Sequence, residues 1–183
     1  MKVLAYNGSP RLRANTETLV TEVLRGAEAA GATVDLRRLN DLTISPCQAC
    51  DTCKRTGACR LADDMTAQYE ALRAADAVVL GTPIYWWGPS AQMKAFFDRW
   101  YALEHLGVMA GKSLLLVCTN GDSGPDTARF TVGMLETAAR YLGMHFLPPL
   151  VVSTPERGSA AANGAALEQA RRAGAALVGR GEG

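Results

Sequence analysis

The stretch "AVVLGTPIYWWGPSAQMKAFFDR" runs from Ala77 to Arg99 and changes character twice. Its first seven residues are apolar without alternation, as a strand covered on both faces requires. "TPIYWWGPS" (Thr82 to Ser90) then gathers three aromatic rings beside a glycine. After Pro89 and Ser90, suited to opening a helix, Met93, Phe96, Phe97, Trp100 and Leu103 mark one helical face. Strand, loop and helix in that order is half of a βαβ unit, so a parallel sheet with helical crossovers is expected.

The same grammar holds on either side. "KVLAYN" (Lys2 to Asn7) is followed by "GSPR" and by "TETLVTEVLRGAEAAG", whose Leu19, Val20, Val23, Leu24, Ala27 and Ala30 recur at helical spacing up to a stop at Gly31. "TVDLRRL" alternates as a strand does, and "DDMTAQYEALRAAD" opens with aspartates suited to a helix N-terminus. "KSLLLVCTN" (Lys112 to Asn120) is another buried strand, leading to a helix with a stripe of Phe130, Met134, Ala138 and Tyr141. "MHFLPPLVV" reads as an edge strand because Pro148 and Pro149 cannot donate to a ladder. Ala165 to Val178 closes as a helix, and "GRGEG" is a frayed tail. The expectation is a single domain over residues 1–183: an α/β, doubly wound, five-stranded parallel sheet of order 2-1-3-4-5. In such sheets ligands bind beyond the carboxyl ends of the strands where the order reverses.

Composition narrows the function. With 48% hydrophobic residues, 20% charged residues and a formal charge of +1, the chain lacks the basic excess of a nucleic-acid binder. No segment approaches the ~18 apolar residues of a membrane span, and "MKVLAYNGSP" has no signal-peptide core. A cytoplasmic location follows by default, and there thiols stay reduced.

Three loops at strand ends carry the candidate chemistry. "GSPRLRANT" offers Ser9, Arg11, Asn15 and Thr16 at a helix N-terminus, which suits a phosphate; the plainer alternative is a capped turn with solvated arginines. It is neither a Walker loop nor GxGxxG. In the aromatic loop Tyr85 and Trp86 offer a flat surface for a planar ring and Gly88 lets backbone amides approach, while packing at the top of the core explains Trp87 equally well. "TNGDSGP" (Thr119 to Pro125) is a polar turn that on its own says little.

These three segments together, and above all Pro83 to Arg99, resemble the NADPH-dependent FMN reductase group of flavodoxin-like flavoproteins. The resemblance implies that Ser9, Arg11, Asn15 and Thr16 hold the FMN phosphate. Pro83, Ile84, Tyr85, Trp86 and Gly88 would border the isoalloxazine ring, with Asn120, Gly121 and Asp122 on its other side. It also implies NAD(P)H as a possible electron donor, a small-molecule or protein acceptor, a homodimer or higher homo-oligomer, and catalysis by the cofactor with no acid or base from the chain. His105 and His145, outside these loops, are read as structural.

"CQACDTCKRTGAC" places Cys47, Cys50, Cys53 and Cys59 as C-x2-C-x2-C-x5-C after the second strand, in a cysteine-rich insertion of about residues 45–61. Four thiolates suffice for a [4Fe-4S] cluster or a tetrahedral zinc, and successive x2 gaps favour the cluster. The segment resembles the cysteine motif of iron-sulfur flavoproteins, which share this fold. Three readings stay open: a bound cluster, a cluster-free thiol loop, and zinc. Lys54, Arg55 and Arg60 are read as solvated, and Cys118 as a buried, inert thiol. The alternatives to an iron-sulfur flavoprotein are a cluster-free FMN or quinone reductase and a non-enzymatic binding module whose cysteine loop is stabilised by zinc or a disulfide.

Overall fold

The computed structural model describes residues 1–104, 106–124 and 126–179. Three apolar runs form the centre of one sheet: β1 (Lys2–Asn7), β3 (Ala77–Tyr85) and β5 (Ser113–Asn120). β1 runs parallel to β2 (Thr33–Arg38) on one side and to β3 on the other. Alternate residues face opposite layers. Leu4, Tyr6, Val78, Leu80, Leu114 and Leu116 pack with Met65, Leu72, Met93, Phe96 and Trp100. Val3, Ala5, Val79, Leu115 and Val117 pack with Leu19, Val20, Val23 and Leu177 from the other face. That two-sided burial is why these strands read as unbroken apolar runs.

Among the described residues the expected five strands become seven. The path through the sheet is β2-β1-β3-β5-β6, where β6 is only His145–Phe146, and a further strand β7 (Leu150–Ser153) also pairs in parallel with β5. Pro148 and Pro149 fall between them and divide the edge strand into two short pieces. The remaining strand, β4 (Gly88–Pro89), folds back antiparallel on the end of β3. Pro89 therefore lies in a strand, and Ser90 alone opens the next helix.

The helices are α1 (Asn15–Ala29), α2 (Thr52–Thr56), α3 (Met65–Ala74), α4 (Ala91–Asp98), α5 (Tyr101–Glu104), α6 (Arg129–Tyr141) and α7 (Gly164–Val178). The apolar face from Met93 to Leu103 breaks at Arg99 and Trp100, which separate α4 from α5. In α6 the buried residues are Thr131, Leu135 and Ala139, one position on from the expected stripe. Phe130 and Tyr141 are 58% and 72% exposed. Two i, i+4 series lie side by side on this helix, and the smaller side chains face the sheet. His105 and the tail residues Arg180 to Gly183 fall outside the described residues, whereas His145 begins β6. No helix among the described residues is long and apolar enough to cross a membrane.

α1 and α7 cross at two glycines, Gly26 and Gly174. A β-carbon at Gly174 would collide with the Val23 carbonyl oxygen, and one at Gly26 with that of Arg171. Glu22, buried beside this crossing, accepts from Arg171 Nε at 2.6 Å. Helix propensity alone favours Gly174→Ala by about 1 kcal/mol. Backbone atoms cannot give way as a side chain can, so overpacking costs of about 1–3 kcal/mol outweigh it. Gly174→Ala is expected to lower the thermal unfolding midpoint.

Candidate active site

The first loop is folded on its own polar side chains. Asn7, fully buried at the end of β1, accepts from the Ser9 amide at 2.9 Å, and Ser9 Oγ accepts from the Arg11 amide at 3.2 Å. α1 then starts at Asn15 behind Ala14, with no side-chain cap on its free N–H groups. Uncapped amides and the positive end of the helix dipole favour an anion there. Arg11 is exposed at the same end. Thr16 Oγ1 lies 2.7 Å from Thr119 Oγ1, joining this turn to the end of β5.

The aromatic loop is a two-residue hairpin turn. Tyr85 pairs with Gly88, while Trp86 and Trp87 between them have φ of 50° and 61°. Both central positions of such a turn need positive φ, which glycine and asparagine provide easily and tryptophan does not. Each left-handed residue costs roughly 1–2 kcal/mol. Hydrogen bonds hold the turn's flanks: Thr131 donates to the Trp87 carbonyl at 3.1 Å, and the Ser90 amide donates to Thr82 Oγ1 at 3.0 Å. Ser90 Oγ also donates to the Gly8 carbonyl at 2.6 Å and accepts from the Met93 amide at 3.2 Å, capping α4. Trp86 is left 91% exposed.

Between these loops lies a cleft of ≈ 220 Å³ at the carboxyl ends of β1, β3, β5 and β7. Asn120, 5% exposed, lines it; Nδ2 donates to the Asp122 carbonyl, and Oδ1 is buried without a partner among the described residues. A buried carbonyl oxygen left unpaired is costly, and a donor arriving in the cleft would relieve it. The wall beyond Asn120 is Thr154 to Arg157, attached through the Thr154 amide to the Asn120 carbonyl at 2.7 Å.

The four cysteines surround a second, much smaller cavity together with Tyr69, Arg99 and Tyr101. Cys53 on α2 is buried, Cys50 and Cys59 are half-buried, and Cys47 is exposed. Hydrogen bonds with Thr52 hold the Cys50 thiol below its ordinary pKa, whereas burial raises that of Cys53. Among the described residues no group of three or more His, Cys, Asp or Glu side chains is placed to hold a metal ion. The loop is closed instead by Arg99, 1% exposed. Its guanidinium donates to Asp63 at 2.7 and 3.2 Å, to the Ser45 carbonyl at 2.8 Å, to Tyr69 Oη at 3.3 Å and to Cys59 Sγ at 3.5 Å. Ser45 and Asp63 flank the cysteine segment, so one buried cation fastens both of its ends. Tyr101 adds a hydrogen bond to Asp51 at 3.0 Å.

The model of the NADPH-dependent FMN reductase family matches residues 1–159. This chain belongs to that family. Among its relatives, an iron-sulfur flavoprotein of Methanocaldococcus jannaschii is 38% identical over 99 residues, 54% of this chain and 51% of that protein. Another, from Archaeoglobus fulgidus, is 38% identical over 122 residues, 66% of this chain and 62% of that protein. The matches thus span about half to three-fifths of those relatives' length. An NAD(P)H:quinone oxidoreductase from Methanothermobacter marburgensis superposes with a TM-score of 0.80 at 21% identity, covering 97% of this chain and 96% of that one. A flavodoxin from the domain Archaea superposes with a TM-score of 0.67 at 16% identity, covering 98% of each. The fold is flavodoxin-like.

Of the residues that the family resemblance marks, Ser9, Arg11, Asn15, Thr16, Pro83, Ile84, Tyr85, Asn120 and Gly121 line the cleft. Trp86, Gly88 and Asp122 are not among its lining residues. Trp86 and Gly88 make the hairpin, and Asp122 accepts from the Gly124 amide at 3.0 Å within its own turn. Asn15 lines the cleft but spends its side chain elsewhere: Nδ2 donates to the Glu156 carbonyl at 2.8 Å and Oδ1 accepts from the Ala160 amide at 3.0 Å. Thr154 to Arg157 went unread in the sequence, although "STPERGS" follows a strand just as the other three loops do. Arg99 was visible only as the last residue of the stretch that carries the family resemblance. Lys54, read as solvated, sits 3.5 Å from Asp51 and over the Tyr101 ring. Burial pushes the Cys118 thiol up to about 12, in keeping with an inert side chain.

Burial alone would raise the Asp63 carboxyl, but hydrogen bonds from Arg99 and from the Ser45 and Met65 amides hold it below the usual carboxylate range. A depressed folded pKa gives stability that is present above the unfolded value of about 3.9 and lost as pH falls through the folded value. Asp63→Ala leaves the Arg99 charge buried and unpaired, which costs about 3–5 kcal/mol. Urea unfolding is expected to show that difference at neutral pH and to show it shrinking on acidification below about pH 4.

Proposed function

We propose that this chain is an FMN-dependent oxidoreductase that takes electrons from a reduced donor, NAD(P)H or a protein, and delivers them to a small-molecule or protein acceptor. The cleft carries this reading, because it joins an anion-receptive helix end to an apolar wall and to a buried acceptor without a partner among the described residues. Those three features match the phosphate, the planar ring and the polar N–H edge of FMN. Arg11 and the first amides of α1 hold the phosphate by charge-assisted hydrogen bonds. Pro83, Ile84 and Tyr85 border the ring, and Asn120 Oδ1 offers its lone pair to a ring N–H. Ser9, Asn15 and Asp122 shape the loops, while Trp86 and Gly88 form the hairpin beside the ring.

When bound, FMN supplies the redox chemistry, accepting electrons in a pair and releasing them together or singly. The chain orients it and sets its potential through the groups around the polar edge. A homodimer with the exposed hairpin at its interface fits the resemblance and belongs to this proposal.

The names of the relatives favour a second element, an iron-sulfur cluster on Cys47, Cys50, Cys53 and Cys59. The donor set is chemically right, but the thiols as placed do not make a metal site, and no step of the proposal passes through them.

Purified protein given FMN is expected to show bound-flavin absorption bands. Arg11→Ala should weaken FMN binding by about 10- to 100-fold, the equivalent of a lost charged hydrogen bond. Failure of wild type to take up FMN would favour a non-enzymatic module. Iron and acid-labile sulfide are to be measured after anaerobic purification and reconstitution. Stoichiometric amounts would establish the cluster, and their absence would leave a cluster-free reductase.

A further inference from the structure

The loop after β7 was built into the cleft by Asn15, and this arrangement has chemistry of its own. Asn15 stands at the first position of α1, where an anion would be received. Its amide takes both of its strong contacts from one segment, donating to the Glu156 carbonyl and accepting from the Ala160 amide. Residues 156–160 are therefore pinned against the helix N-terminus and not against the aromatic wall. Gly158, at a φ of 83°, turns the chain between the two attachment points. Arg157 lies between them, exposed and lining the cleft.

We infer that Arg157 is a second cationic ligand for the phosphate of the bound flavin, and that Asn15 is the positioning residue that brings it there. The inference rests on the FMN reading of the cleft and assigns a role to Arg157, which that reading leaves idle. Charge balance supports it. Arg11, Arg157 and Glu156 are all exposed and line the same cleft, so these three side chains together bring one net positive charge to it. Without Arg157 that balance falls to zero, and selection for a phosphorylated over an unphosphorylated flavin would rest on Arg11 and helix amides alone. With one Nδ2 N–H and Oδ1 of Asn15 committed to the loop, its side chain keeps a single N–H to give the phosphate.

The test is a fluorescence titration of the full chain with FMN and with riboflavin, which shares the ring but lacks the phosphate. Arg157→Ala is expected to weaken FMN binding about ten-fold while changing riboflavin binding by less than about two-fold. Asn15→Ala should reduce the preference for FMN similarly, and adding Arg157→Ala to it should then change little, since contacts that work as a unit are not additive. An FMN affinity unchanged in Arg157→Ala, or an equal loss for both flavins, would overturn the role of Arg157. Losses that multiply in the double variant would overturn that of Asn15. Because Arg157 is exposed, its variant decides the first point even if Asn15→Ala does not fold. Wild-type protein that binds neither flavin would overturn this inference and the functional reading beneath it.

Discussion

The site depends on one buried hydroxyl, that of Ser90. Its single proton goes to the Gly8 carbonyl and its lone pair to the Met93 amide, while its backbone amide holds Thr82 Oγ1. The first loop, the end of β3, the hairpin and the start of α4 thus meet at a side chain with 0% exposure. A buried hydroxyl with its donor and acceptor both engaged has no favourable alternative geometry. The Gly8 amide, bonded to the Gly81 carbonyl at 2.7 Å, extends the β1–β3 ladder into this junction. The helix end and the hairpin end of the cleft consequently keep a fixed relation to each other.

That junction also explains why a strained turn survives. Two tryptophans in left-handed conformations would not hold a hairpin in an isolated peptide. Here the flanking residues are fastened on both sides, by Ser90 below and by Thr131 of α6 beside it. The strain is offset by hydrogen bonds outside the turn, a common condition at functional sites. Its effect is to leave Trp86 and Trp87 exposed next to Tyr85, which lines the cleft.

How much of this could be read in the sequence depended on the range of the interaction. The buried central strands, the loops at their ends and the Ser90 cap are local patterns, and each was legible. Pro148 and Pro149 signalled the edge position of the last strand, though not its separation into β6 and β7, which depends on where β5 offers free partners. On α6, hydropathy pointed to Phe130 and Tyr141. The space beside the sheet admits Thr131, Leu135 and Ala139, and only packing settles such a choice. The hold of Asn15 on the loop after β7 was not legible, because its partners lie more than 140 residues away in the chain. Arg99 was hidden for the same reason, since Ser45, Cys59 and Asp63 come from a distant segment.

Helix α4 gains another meaning from its two ends. Ser90 fixes its start to the cleft and Arg99 fixes the residue after its last turn to the cysteine loop. Nine residues at about 1.5 Å each set a spacer of roughly 13 Å between those attachments. The helix also sets a phase, because each residue turns the next side chain by about 100°. One residue added or removed within α4 would swing Arg99 away from Cys59 and Asp63 while leaving Ser90 in place. Length and angular register of a single short helix therefore keep the cysteine loop and the cleft in step.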